Sequence, residues 1–141
     1  MVGVIIVAHL RLAEELLYVA RIVTGSELNN FSTVSININD NPDQAREKLL
    51  AAVKGVETRD GTVIMVDMFG GTPSNLSLSL LSKGKIEIIT GVNLPMIMEA
   101  ANNSHKASLS ELIGILTASG QRGIRSAGTI LEKNVIPGKE S

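Results

Sequence analysis

The sequence predicts an α/β domain of three layers, a mainly parallel sheet with helices on both faces. Three observations predict it. Continuous apolar runs rich in β-branched residues at 2–8 and 61–67 have the pattern of strands buried on both faces. Each strand is followed by helical periodicity, and strands alternating with helices build right-handed βαβ units that cover a parallel sheet on both sides. The 141 residues, 44% of them hydrophobic, are about enough for one core and not for two.

The elements follow in order. After the strand at 2–8, Leu12, Leu16 and Val19 recur at helical spacing with Ala13, Leu17, Ala20 and Val23 beside them, and Gly25 is a stop signal. Residues 31–38 alternate, with Val34, Ile36 and Ile38 on one side and Thr33, Ser35 and Asn37 on the other, as in a half-exposed strand near an edge. Asn41-Pro42 places a capping residue before a proline at the first helical position and opens a helix to about Lys54. After the strand at 61–67, Thr72-Pro73 repeats the device, with Thr72 read as the cap of a helix through Leu76, Leu80 and Leu81 to Gly84. Residues 85–90 form a fourth strand, and Asn93-Leu94-Pro95 starts a fourth helix to about Asn102. Ser108 and Glu111 have the spacing of a capping box for a fifth helix ending near Gly120. Residues 123–131 are ambiguous and allow a short final strand; 132–141 read as a frayed tail, leaving 1–131 as the domain.

Composition excludes several function classes. With 13 Lys plus Arg against 14 Asp plus Glu, there is no polybasic surface for nucleic acid, and three aromatics (Tyr18, Phe31, Phe69) build no base-stacking platform. Cysteine is absent, which removes disulfides, thiolate chemistry and cysteine-based metal sites. No cluster of acidic residues assembles a metal site. The apolar runs are far short of a membrane span, and no basic segment precedes the first of them. The expectation is a cytoplasmic protein without membrane insertion, metal or cofactor.

In parallel sheets of this kind, ligands bind at the carboxyl ends of the strands, where the winding reverses. His9 ends the first strand, Asp67 ends the third, and Phe69-Gly70-Gly71-Thr72-Pro73 leads into the next helix. A reversal between the first and third strands would make His9 and Asp67 neighbours. A carboxylate that accepts a hydrogen bond from one imidazole nitrogen fixes the tautomer and leaves the other nitrogen's lone pair free to act as a nucleophile. Gly70 and Gly71 allow close backbone approach, and Thr72 adds a hydroxyl, a combination suited to phosphate. Taken singly, His9 also reads as an incidental residue, Asp67 as a loop cap and the glycines as a tight turn. Their convergence on one crevice is the specific signal, and it suggests phosphohistidine. No lysine follows the glycines as in a P-loop, so nucleotide hydrolysis is poorly supported. His105 lies in a polar loop segment, Arg11 reads as a solvent-facing charge, and Met65, Met68, Met96 and Met98 as core or interface filler.

These residues resemble the enzyme IIA domain of the mannose-type sugar phosphotransferase system. The matching motifs are His9 with Leu12-Ala13-Glu14, Asp67-Met68-Phe69-Gly70-Gly71-Thr72-Pro73 with Asn75, and Gly91-Val92-Asn93-Leu94-Pro95-Met96. The resemblance implies a phosphoryl carrier. His9 would take phosphate on Nε2 from the histidine-containing phosphocarrier protein and pass it to an enzyme IIB, Asp67 would orient the ring, and Gly70, Gly71 and Thr72 would contact the phosphate. It further implies a homodimer in which a C-terminal strand crosses to the partner, which would give residues 123–131 a role; Asn93 would line the same mouth. Two positions depart from the family pattern: Leu10 stands where glycine is typical and Ala8 where a hydroxyl residue is.

Three rivals can be set beside this reading. A histidine phosphatase or mutase would have Arg before the acceptor and a second well-placed His, whereas Ala8 precedes His9. A dihydroxyacetone-kinase phosphocarrier subunit has a similar opening motif, but the Gly70-Gly71-Thr72-Pro73 segment favours the mannose type. A regulatory module that signals through its phosphorylation state is the third.

Overall fold

The computed structural model describes residues 1–56 and 58–135. Four strands, β1 (Gly3–His9), β2 (Phe31–Ile36), β3 (Thr62–Val66) and β4 (Ile86–Thr90), form one sheet in the order β2-β1-β3-β4. All pairs are parallel, with Val4 opposite both Phe31 and Val63. The chain therefore winds outward from β1 to β2, returns across the sheet, and continues the other way through β3 and β4. The reversal lies between β1 and β3, as the sequence requires for its crevice.

Helices α1 (Leu12–Thr24), α4 (Leu94–Asn103) and α5 (Leu109–Arg122) cover one face, and α2 (Pro42–Val56) and α3 (Thr72–Leu78) the other. On the first face Val4, Ile6 and Met65 pack with Leu17, Ile97, Leu112 and Leu116; on the second Ile5, Val7, Ile64 and Val66 pack with Leu49 and Val34. Alternate residues of β1 and β3 thus feed opposite cores, which is why both strands read as unbroken apolar runs. Ser108 and Glu111 form the reciprocal capping box that opens α5, and Gly25 ends α1 in the left-handed conformation.

Four expectations need correction. The face that α1 buries is Ala13, Leu17 and Ala20, while Leu12 and Val19 are exposed. β2 stops at Ile36, and Ile38, expected on its buried side, is 88% exposed on the following turn. That turn is pinned by Asp40, whose carboxylate accepts from the Asn37 N–H at 2.9 Å and from Lys48 Nζ at 3.0 Å. The helix α3 ends at Leu78 rather than near Gly84, because the chain turns at Ser82 to meet Ile86 in an antiparallel bridge. Within 123–131 there is no strand; a helix, α6 (Ala127–Val135), begins there and makes no extensive contact with another element among the described residues. Residues 136–141 of the expected frayed tail lie outside the described residues.

Candidate functional site

The register of β1 against β3 carries the two chains of atoms to one place. His9 is the last residue of β1, and Asp67 follows β3, with its N–H donating to Val7 C=O. The His9 Nδ1 lies 2.7 Å from Asp67 Oδ2, and the same oxygen accepts the His9 backbone N–H at 2.9 Å. The other carboxylate oxygen, Oδ1, accepts the Met68 N–H at 2.9 Å. An ionised carboxylate only accepts, so in the neutral imidazole the ring proton is assigned to Nδ1 and the lone pair to Nε2. The Asp67 side chain is 11% exposed and that of His9 47%. Burial acts to raise the Asp67 pKa, but the backbone N–H of His9, its ring and the Met68 N–H together outweigh it and hold the carboxyl below its ordinary value.

The glycine loop meets the ring from the other side. A Cβ on Gly71 would stand 3.1 Å from His9 Cε1 and 3.4 Å from Nε2, so the backbone at Gly71 lies against the edge of the ring that bears the free lone pair. Gly70 has φ +93°, which a side chain would strain. Thr72 is not the cap of α3: Gly71 holds that position, no side chain caps the helix, and Thr72 is its first residue. A helix opened by glycine and proline leaves the Thr72 hydroxyl uncommitted, and Thr72 lines a groove of about 450 Å³ with His9, Leu10, Ile36, Ile38 and Pro42.

The remaining candidates are placed elsewhere. His105 follows Ser104, whose C=O accepts the Val2 N–H at the opposite end of β1, roughly 20 Å from His9 at strand rise. Arg11 is exposed and pairs with Glu14 at 3.5 Å and Glu15 at 3.4 Å. Met65 and Met96 are core residues, but Met68 is exposed beside Asp67, next to Phe69 at 72% exposure. Asn93 has a definite structural task. Its Oδ1 accepts the Met96 N–H at 3.0 Å to cap α4, and its Nδ2 donates to the Gly120 C=O at 2.9 Å, tying α4 to α5. Asn93→Ala is expected to lower stability by about 1–2 kcal/mol, read as a shift in urea midpoint, with the rate of any chemistry at His9 little changed.

The sequence marks Leu10 as a departure beside the expected acceptor histidine and places Ile38 on the buried side of the second strand; both line the groove with His9. The signal for Leu10 was its position after a strand-ending histidine. The Leu10 backbone is left-handed at φ +51°, a conformation glycine adopts freely.

The family model described as "PTS system fructose IIA component" matches residues 3–116, which include every residue of this arrangement. The chain belongs to that family. It is 30% identical over 114 residues to the sorbose-specific EIIA component of the phosphotransferase system of Lacticaseibacillus casei, covering 80% of this chain and 81% of that protein. Against the mannose-specific EIIAB component of Escherichia coli K12 it is 29% identical over 127 residues, 89% of this chain but only 39% of the relative, so it spans about two fifths of that protein. Among solved structures, a phosphotransferase system component EIIA from Streptococcus agalactiae superposes with a TM-score of 0.81 at 25% identity, covering 92% of this chain and 99% of that one. The IIA fold, a parallel four-stranded sheet between helical layers, and the mannose-type resemblance of the motifs therefore agree. The family model and these relatives are named as components of sugar phosphotransferase systems. Among the described residues no helix is long and apolar enough to cross a membrane.

Proposed function

We propose that the chain is a phosphoryl carrier that accepts phosphate on His9 Nε2 from the histidine-containing phosphocarrier protein and passes it to an enzyme IIB for sugar uptake. The observation that carries this reading is the 2.7 Å contact of Nδ1 with Asp67, which commits one ring nitrogen and leaves the other free in a half-exposed position. In the forward step the Nε2 lone pair attacks phosphorus, the bond from phosphorus to the donor's nitrogen breaks, and its electron pair returns to the donor. The charge that develops on the His9 ring is met by Asp67, already ionised and held by three N–H groups. Onward transfer is the same step with His9 as the leaving group.

Gly70, Gly71 and Thr72 are the proposed phosphate contacts, through backbone N–H groups and the uncommitted Thr72 hydroxyl. A loop without a lysine or arginine suits a relay, because a site that gripped phosphate tightly would retard its departure. The exposed Met68 and Phe69 at the rim favour a partner that is a protein and a contact that is transient. We further propose a cytoplasmic homodimer. Beyond the bridge at Ile86 the outer edge of β4 is unpaired among the described residues, and α6 makes no extensive contact with another described element, so both are available to a second copy. The carrier unit then covers 1–131, with the end of α6 and the residues after it as a tail.

The test is incubation with phosphoenolpyruvate, enzyme I and the phosphocarrier protein, followed by peptide mapping under alkaline conditions. One acid-labile phosphate on the peptide containing His9 is expected. Label on His105, or none, overturns the proposal.

A further inference from the structure

We infer that the peptide unit joining Gly70 to Gly71 is a two-position switch latched by Ser74: in its second position the Gly70 C=O accepts from the buried Ser74 hydroxyl while the Gly71 N–H faces the phosphoryl group on His9. The inference rests on the phosphohistidine reading of the site and adds to it a positioning residue, one that acts through the loop and does not touch the phosphate.

One buried hydroxyl on α3 is unused. Ser74 is wholly buried, and its Oγ has no hydrogen-bond partner among the described residues. An unpaired polar group in a core is costly, and native chains rarely keep one without a reason. Ser77, almost one turn on, shows what Ser74 lacks. Its hydroxyl is equally buried and donates to the C=O four residues back, that of Pro73, at 2.7 Å. The equivalent acceptor for Ser74 is the C=O of Gly70. That residue lies outside α3 with φ +93°, so its carbonyl is not stacked beneath Ser74 as a helical one would be.

A single rotation supplies the missing bond. Turning over the Gly70–Gly71 peptide reverses its C=O and its N–H together and leaves the flanking Cα atoms in place. The turn carries φ of Gly71 from −88° to the positive side, where glycine is free and any other residue is strained. There is room for it at Gly70, where a Cβ would meet no atom within 4 Å. Ser74 lies on the buried face of α3, which packs on β1, β3 and β4, and the His9 ring is half exposed at the mouth of the site. A carbonyl turned inward to the first therefore turns the N–H outward to the second, and the backbone at Gly71 already lies against the Nε2 edge of the ring. Phosphate supplies the bias between the two positions, because its oxygens accept from an N–H and repel a carbonyl. The latch closes when His9 is charged and opens when the phosphate leaves.

The test compares Ser74→Ala with Ser77→Ala, the control, whose hydroxyl is bonded already. Each chain is mixed with the phosphorylated histidine-containing phosphocarrier protein, and the sharing of phosphate between the two proteins at equilibrium is measured by mass spectrometry under alkaline conditions. Amide resonances are recorded before and after phosphorylation. Ser74→Ala is expected to shift the sharing about fivefold toward the donor, to raise the urea midpoint of the unphosphorylated chain, and to reduce the displacement of the Gly71 amide resonance on phosphorylation. Ser77→Ala should share phosphate as wild type does. Unchanged sharing in Ser74→Ala, an equal shift in Ser77→Ala, or a lowered urea midpoint, as a water bonded to Ser74 in the unphosphorylated chain would produce, overturns the inference. No phosphate on wild-type His9 overturns the phosphohistidine reading and the inference with it, whereas phosphate on His9 with unchanged sharing overturns the inference alone.

Discussion

His9→Ala is expected to abolish phosphorylation by phosphoenolpyruvate, enzyme I and the phosphocarrier protein, with no acid-labile phosphate detected by mass spectrometry at any concentration of donor. No second imidazole stands in the groove, whose remaining lining is Leu10, Ile36, Asn37, Ile38, Asp40, Pro42, Ala45 and Thr72, and none of these offers an unprotonated nitrogen. The fold should tolerate the change. The ring is half exposed, and Asp67 Oδ2 keeps its bond from the backbone N–H of position 9, so the stability lost is about one hydrogen bond, ~1 kcal/mol. A variant that folds, as judged by an unchanged urea transition slope, and still takes up phosphate at any residue would remove His9 from the chemistry.

Asp67→Asn is expected to slow phosphorylation of His9 about 10–100-fold. The reason lies in the three N–H groups that the carboxylate accepts. An amide has one acceptor oxygen. Placed toward His9, it leaves the Met68 N–H facing an NH₂; placed toward Met68, it turns an NH₂ on Nδ1 and moves the ring proton to Nε2, the atom that must attack. Either arrangement also deletes the negative charge that balances the imidazolium. An unchanged rate would exclude Asp67 from the mechanism.

The same substitution has a stability signature with a definite sign. The Asp67 pKa is depressed in the folded chain, so its stabilising contribution is complete above the unfolded aspartate value of about 3.9 and is lost as pH falls through the lower folded value. Wild type should exceed Asp67→Asn in urea midpoint at about pH 5, and the gap should narrow on moving to about pH 3. A gap independent of pH would show that the carboxylate is not ionised against its three donors.

Much of this site was legible in the sequence, because it depends on local signals that a buried parallel sheet makes unambiguous. The apolar runs before His9 and Asp67 could only be central strands, and central parallel strands place their carboxyl ends together. The Gly-Gly-Thr-Pro loop signalled its own turn, although Thr72 is helical and Gly71 takes the cap. What escaped were features set by tertiary geometry. The alternation of 31–38 cannot reveal that pairing with β1 ends at Ile36, which frees Ile38 to the solvent. The period of α1 marks an apolar stripe, but burial falls on Ala13, Leu17 and Ala20 and leaves Leu12 and Val19 exposed at its margins. Nothing local distinguishes a strand from a helix over 123–131: Gly123 lies against Pro95, but α6 makes no extensive contact with another described element.

The strand order also governs when the centre comes into being. Every pairing in the sheet is parallel, so no hairpin can start it, and Val4 must wait for Val63. During synthesis the first strand leaves the ribosome with its partner β3 still some sixty residues away, and closing so long a loop is slow. The imidazole acquires its carboxylate neighbour in the same event that joins these two strands. A nascent chain shorter than that can hold helices but not an activated histidine, so chemical competence and the topology of the sheet arrive in a single cooperative step.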